Sequence, residues 1–208
     1  MSGKPLPREF FQRDALQLAH DLLGCTLVHA SPEGLTAGII VETEAYRGPA
    51  DAAAHTYRGK RTARTAAMYG PAGHAYIYLI YGMYECLNVV GGDIDNPEAV
   101  LIRALEPVSG VELMAQRRRV DMTKPRALRQ LCSGPGKLTQ AMGITRAEHY
   151  GIDLCGNVLY VTPGRIIAEA QIATTPRINI DYAGEWRDLP WRYIVKDSPY
   201  LSRPWRGA

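Results

Sequence analysis

The chain has 208 residues, 46% hydrophobic and 22% charged, with a formal net charge of +3. That balance fits one folded domain spanning residues 1–208 with a single sizeable core, and it excludes a disordered chain or a large multidomain assembly. Met1–Pro7 lacks the apolar run of a signal sequence, and no apolar stretch approaches the roughly 20 residues of a membrane span, so a cytoplasmic protein with a short flexible N-terminus (1–7) and no membrane contact is expected.

Residues 10–23 carry Phe10, Phe11, Ala15, Leu18, Leu22 and Leu23 on a helical stripe that Gly24 stops. Residues 25–30 read as a strand, 31–34 as a turn and 35–46 as a second, longer strand, the pattern of an antiparallel hairpin. From Arg47 to Gly73 the chain is rich in Gly, Ala, Pro and charge without periodicity, and an aperiodic stretch of that length is commonly functional. Strand patterns return at 74–81, 84–90 and 99–105. Helix follows Pro107, with Ser109 and Glu112 at capping-box spacing, and again over 137–142. The last third carries strand patterns at 158–161, 165–173 and 193–196. These elements predict an α+β single domain with a curved, mainly antiparallel β-sheet core and peripheral helices.

Aromatic usage is uneven: 12 Tyr stand against 2 Phe and 3 Trp, and seven of the tyrosines lie between Tyr46 and Tyr84. Tyr keeps a polar handle on a flat ring. The basic residues are nearly all arginine, whose planar fork suits phosphate oxygens and stacks on rings. They cluster at Arg58, Lys60, Arg61 and Arg64, and again at Arg117, Arg118, Arg119, Lys124, Arg126 and Arg129, which suggests a polyanion docking on one face. Cys25, Cys86, Cys132 and Cys155 are dispersed, so neither a disulfide framework nor a zinc site is expected.

Strand alternation over 39–46 puts Ile40, Glu42, Glu44 and Tyr46 on one face. Two carboxylates and a tyrosine in a row on so apolar a strand could serve a general base acting on water. The same alternation puts Tyr76 and Tyr78 together, a platform on which a planar base can stack for roughly 1–3 kcal/mol.

The blocks Val41–Tyr46 with Gly48, Pro49, Asp51, Ala54 and His55, then Tyr76–Tyr84, Leu101–Pro107 and Leu131–Pro135, occur in an order that closely resembles the alkyladenine (3-methyladenine) DNA glycosylase family. The resemblance covers most of the chain. It implies a monofunctional base-excision repair enzyme, monomeric and free of cofactor and metal. Such an enzyme flips an alkylated or deaminated purine out of double-stranded DNA and hydrolyses its N-glycosidic bond. It implies Glu44 as the base that polarises water and Arg103 as the residue that orients both. Tyr46, His55 and Tyr78 would sandwich the extruded base, and Tyr76 would support the pocket. Asn88 would sit at the pocket edge and Tyr81 would fill the gap left in the duplex. Glu42 receives no role, and a backbone carbonyl near residues 178–180 is expected to complete the water site.

Three other readings stand beside this one. The tyrosines and arginines alone also fit a non-catalytic nucleic-acid-binding module with a stacking platform. Ser133–Lys137 resembles the hairpin of helix-hairpin-helix glycosylases, in which a lysine attacks the sugar. Glu42 and Glu44 together could be read as the carboxylate pair of a carbohydrate hydrolase.

Overall fold

The computed structural model describes residues 3–205 and 207. The helical stripe over 10–23 is two helices, α1 (Arg8–Phe11) and α2 (Ala15–Asp21). The Asp14 carboxylate accepts from the Leu16 and Gln17 amides at 2.9 and 3.1 Å, and so starts a new helix inside the stripe. Gly24 ends the segment at φ 83°, where a Cβ would lie 2.2 Å from the Arg165 carbonyl oxygen, so only glycine fits. Within the expected flexible N-terminus, the Leu6 amide donates to the Val161 carbonyl at 2.7 Å.

The hairpin forms as expected from β1 (Thr26–Ser31) and β2 (Gly34–Tyr46). Leu27 packs in the main core, while Val28 joins Ala37 and Tyr160 in a smaller cluster, as alternation requires of a strand covered on both faces. The aperiodic stretch holds only short 3-10 turns at Gly48–Ala50, Tyr57–Gly59 and Ala66–Tyr69. Next come β3 (Ala75–Ile80), β4 (Tyr84–Gly91) and β5 (Glu98–Ser109). Helices α3 (Val111–Arg118), α4 (Ala127–Gln130), α5 (Pro135–Met142) and α6 (Arg146–His149) follow. The chain closes with β6 (Leu159–Thr162), β7 (Ile172–Thr175) and β8 (Arg192–Val195).

All eight strands join one curled antiparallel sheet in the order β3-β4-β5-β2-β1-β6, with β8 paired to both β2 and β7. This is the predicted α+β architecture with helices at the periphery. Two local expectations fail. No capping box forms at Ser109, because β5 continues through Ser109, which pairs with Ala37, and Gly110 in the left-handed region (φ 69°) opens α3. The strand expected over 165–173 shrinks to β7, and Ile166, which gave it an apolar pattern, is 97% exposed.

Strand β2 is the pivot of the molecule. Strand β5 lies along one edge, and the other edge is shared by β1, which pairs residues 34–39, and β8, which pairs residues 42–44. The β2–β5 register shifts at three places: Val108 is an extra residue on β5 near the start of the pairing, and further along Val41 is the extra residue on β2 and Arg103 the extra residue on β5 between Ala104 and Ile102. The simple alternation therefore breaks, and Ile40 and Val41 both enter the main core. Arg103, free of register pairing, sends its side chain to the face that carries Glu42 and Glu44.

A buried histidine pair ties β1 to the helical side. His29 Nδ1 lies 2.7 Å from the Met142 carbonyl, His29 Nε2 lies 3.0 Å from His149 Nε2, and the Thr145 amide donates to His149 Nδ1 at 3.1 Å. A carbonyl can only accept, so His29 Nδ1 donates to Met142 and the neutral His29 ring accepts at Nε2 from His149. Burial lowers the pKa of His29, and His149 and Arg117 add to that, against the Met142 carbonyl and Glu148. A folded pKa below the unfolded value of about 6.5 gives stability that is complete above that pH and is lost as pH falls through the lowered value. The midpoint of thermal unfolding should thus drop between pH 7.5 and 5.5, and by less in His29→Asn. An equal drop in both proteins would assign the acid sensitivity to other groups.

Candidate active site

Glu44 lies near the C-terminal end of β2 and is fully buried. Its Oε1 accepts from the Ile178 amide at 2.7 Å, and its Oε2 accepts from the Tyr46 hydroxyl at 2.9 Å and from Arg103 Nη1 at 3.3 Å. Three donors fix the carboxylate, and all three residues line a cavity of about 410 Å³. Burial works against the Arg103 charge, but Glu44 and Glu42 more than offset it, so the guanidinium is firmly protonated. Burial and then Glu44 push the Tyr46 hydroxyl well above its ordinary value, which keeps it a neutral donor to Glu44.

The tyrosine wall stands beside this carboxylate. Strand alternation sends Ile77 into the main core and places Tyr76 and Tyr78 on the opposite face, their ring centroids 5.7 Å apart. The His55 ring stands edge-on to Tyr78 at 4.5 Å, and His55 Nδ1 lies 2.8 Å from the Tyr76 hydroxyl. Burial, then Arg64 and Lys60, bring the His55 pKa down to about 4, so the ring is neutral at neutral pH. Asn88 on β4 donates to the Tyr76 carbonyl at 3.1 Å. Tyr46, His55, Tyr76, Tyr78 and Asn88 line a second cavity of about 40 Å³, far smaller than the first. Tyr46 and Tyr78 line both cavities and form the partition between them. The Cys86 thiol on the larger cavity is pushed up to about 11 by burial, which leaves it protonated and a poor nucleophile.

A buried ion pair holds this constellation from behind. Asp51 organises the loop after β2 by accepting from the Arg47 and Ala53 amides at 3.1 and 2.9 Å, which sets the path of the chain toward His55. Its carboxylate meets Arg177 in a two-pronged pair, with Nη1 at 2.5 Å and Nη2 at 2.9 Å, and both side chains are wholly buried. The same guanidinium donates to the Ala45 carbonyl at 2.9 Å and lies 4.8 Å from the centre of the Tyr46 ring. Arg177 thus backs Tyr46 while the next residue, Ile178, holds Glu44.

Tyr81 occupies the tip of the β3–β4 hairpin, 74% exposed, at φ 54° next to Gly82 at φ 69°. Two consecutive left-handed residues suit a tight hairpin, but a bulky side chain in that region is strained, and such strain concentrates at functional sites. Tyr81, Tyr84, Arg118 and Lys137 share the larger cavity. The basic clusters divide. Arg61 pairs with Asp95 and Arg117 with Glu33, whereas Arg119, Lys124, Arg126 and Arg129 are exposed and, among the described residues, make no ion pair. Ser133 bridges to Ala104 of β5, and Gly134 opens α5 with Lys137 in its first turn.

A model of the methylpurine-DNA glycosylase (MPG) family matches residues 9–199. "Putative 3-methyladenine DNA glycosylase" of Bacillus cereus (strain G9842) is 47% identical over 203 residues, which cover 95% of this chain and 98% of that relative. Proteins of the same name from Bacillus anthracis (strain CDC 684 / NRRL 3495) and Bacillus thuringiensis (strain Al Hakam) are 46% and 45% identical, with the same coverage. The protein belongs to the methylpurine-DNA glycosylase family and is a hydrolase of N-glycosyl bonds.

Membership of an enzyme family sets aside the non-catalytic module. The paired-carboxylate reading falls with it, and Glu42 is taken up by Arg103, Arg192 and Ser202. Sequence reasoning missed Arg177, the Ile178 amide, Arg192 and Ser202. Glu44 is separated in the chain from Ile178 by 134 residues, and Glu42 from Ser202 by 160, so no local pattern could have linked them. Among the described residues no helix is long and apolar enough to cross a membrane.

Proposed function

We propose that this enzyme turns an alkylated or deaminated purine out of duplex DNA and hydrolyses its N-glycosidic bond with a water activated by Glu44. The observation that carries this reading is the Glu44 carboxylate itself: buried, and held by the Ile178 amide, Tyr46 and Arg103, all three of which line a cavity whose rim presents the exposed, strained Tyr81. The water oxygen attacks the sugar C1′, its proton passes to Glu44, and the C1′–N bond breaks with its electron pair leaving on the purine. Alkylation at N3 or N7 makes the purine cationic, so it departs neutral and needs no acid; hypoxanthine needs protonation as well. Arg103 orients the water and Glu44, and the Ile178–Ile180 segment on the cavity wall offers the backbone for the rest of the water site.

The base lies between Tyr46 on one side and Tyr78 with His55 on the other. Because the gap enclosed there is only about 40 Å³, the seat is completed by the ring faces that open on the larger cavity. Electron-rich faces favour a cationic base over a neutral one. Tyr76 braces His55, and Asn88 marks the pocket edge. Tyr81 fills the vacated stack, where flipping costs a few kcal/mol and least at a damaged pair. A monomer working on chromosomal DNA in the cytoplasm completes the reading.

Duplexes carrying 3-methyladenine, 7-methylguanine, hypoxanthine or ethenoadenine, incubated with the protein and then cleaved at abasic sites, test it directly. Strand cleavage at one or more of these lesions and none at normal purines is expected; a panel that stays intact rejects the reading. Binding should also weaken with salt. Four phosphate contacts by the free cations correspond to a loss on the order of 100-fold between about 50 and about 200 mM salt through counterion release. A flat response would remove these cations from the DNA interface.

A further inference from the structure

Glu42 has no work in the reaction above, yet it is as deeply buried as Glu44. Its Oε1 accepts from Arg103 Nε at 3.0 Å, Arg192 Nε at 2.8 Å and the Ser202 hydroxyl at 2.6 Å, and its Oε2 accepts from the Ser202 amide at 2.6 Å. Four donors of the protein itself therefore hold Glu42, three on Oε1 and one on Oε2, and two of them are guanidiniums.

What Glu42 holds is Arg103. The guanidinium gives Nε to Glu42, Nη1 to Glu44 at 3.3 Å and Nη2 to the Ser202 hydroxyl at 3.2 Å, so two of its three nitrogens are fixed by the Glu42–Ser202 unit and the third is thereby aimed at Glu44. Arg192 completes the unit from β8 and donates Nη2 to the Arg203 carbonyl at 3.1 Å, which ties the chain after β8 down onto the sheet. Two carboxylates face two guanidiniums, and the buried cluster is neutral. The contacts on Arg103 are unequal: 3.0 Å to Glu42 against 3.3 Å to Glu44.

We propose that Glu42, clamped by Arg192 and by Ser202 of the C-terminal segment, is a positioning residue that aims Arg103 at Glu44 and takes up part of its charge, so that Glu44 keeps its strength as a base. The proposal rests on the reading of Glu44 as the general base. Without Glu42, two guanidiniums would face one carboxylate and hold it in its charged form, making it a weaker proton acceptor. The other polar and titratable groups on this pair are Tyr46 on β2, Tyr78 on β3, Cys86 on β4, Tyr182, and the neutralised Arg177–Asp51 pair. None supplies a second negative charge to replace Glu42.

The test is single-turnover release of methylpurines from dimethyl-sulfate-treated duplex DNA across a pH series, with the wild type, Glu42→Gln, Glu42→Asp, Ser202→Ala and Glu44→Gln. These lesions are cationic and need no acid, so the acid limb of the profile reports the base alone. Two residues apart on one strand face is roughly 7 Å. Removing a charge at that range moves the acid limb of Glu42→Gln to lower pH by about one unit and lowers the maximal rate on the order of 10-fold. The half-saturating DNA concentration stays unchanged, and Glu42→Asp, which keeps the charge, keeps the wild-type acid limb.

An unmoved acid limb in a folded Glu42→Gln, whatever its rate, reduces Glu42 to packing and overturns the proposal while leaving Glu44 as the base. An active Glu44→Gln instead overturns the reading on which it rests. If Glu42→Gln loses its cooperative melt, Ser202→Ala decides. It keeps both charges and removes the shared hydroxyl, so its rate should fall about 3- to 10-fold at unchanged half-saturation, the effect of one or two hydrogen bonds, and a wild-type rate overturns the proposal.

Discussion

Glu44→Gln should bind lesion-containing duplex nearly as well as the wild type and release no base, a loss of about 10²- to 10⁴-fold in the single-turnover rate. The amide keeps the shape of the carboxylate but cannot take a proton from water. It also meets donors on both sides. Glu44 accepts from the Ile178 amide on one oxygen and from Tyr46 and Arg103 on the other, so the NH₂ of glutamine must face a donor whichever way it is turned. Leaving the Ile178 amide unpaired costs about 1–3 kcal/mol, so the variant should also melt earlier than the wild type. Folding is therefore confirmed from the melt before the rate is read. A folded variant that excises at the wild-type rate removes Glu44 from the chemistry.

The largest effect on stability is expected at the Asp51–Arg177 pair. Both side chains are at 0% exposure, and breaking a buried pair by removing one partner costs about 3–5 kcal/mol because the other charge is left uncompensated. Arg177→Met removes the cation and, with it, the donor to the Ala45 carbonyl and the support behind Tyr46. Asp51→Asn keeps the shape and should cost less. For a chain of this size each kcal/mol shifts the melting midpoint by about 2–4 °C, so Arg177→Met should melt on the order of 10 °C lower, and urea unfolding should agree. A drop under about 1 kcal/mol would mean that the loop carrying His55 is held by its other contacts. Because the pair braces Tyr46, a folded variant should also bind lesion DNA more weakly, which separates its effect from that of Glu44→Gln.

Much of this could be read along the chain. Alternation placed Tyr76 and Tyr78 on one face and Ile77 on the other, and the spacing of turn residues outlined the β1–β2 hairpin, because period-two patterning is a property of the strand itself. It failed where the strand is irregular. Val41 and Arg103 are the extra residues of two opposed register slips, and a bulge leaves no mark in an apolar pattern. Asp14 divided a helix that hydrophobic periodicity read as continuous, since capping competes locally with the stripe.

The four ordered motifs determined by themselves the family and the residue types of the site: a carboxylate, an arginine and a tyrosine wall, whose chemistry is intrinsic to the side chains. Only the tertiary structure decided what holds each carboxylate. Glu42 and Glu44 are equivalent in composition and share a strand face, and what separates them is their donors. Glu42 is held by Arg103, Arg192 and Ser202, whereas Glu44 is held by Ile178, Tyr46 and Arg103, all three of which line the larger cavity. Ile178, Arg192 and Ser202 arrive from the far end of the chain, and the donors a carboxylate meets depend on where folding brings them, not on the order in which they were written.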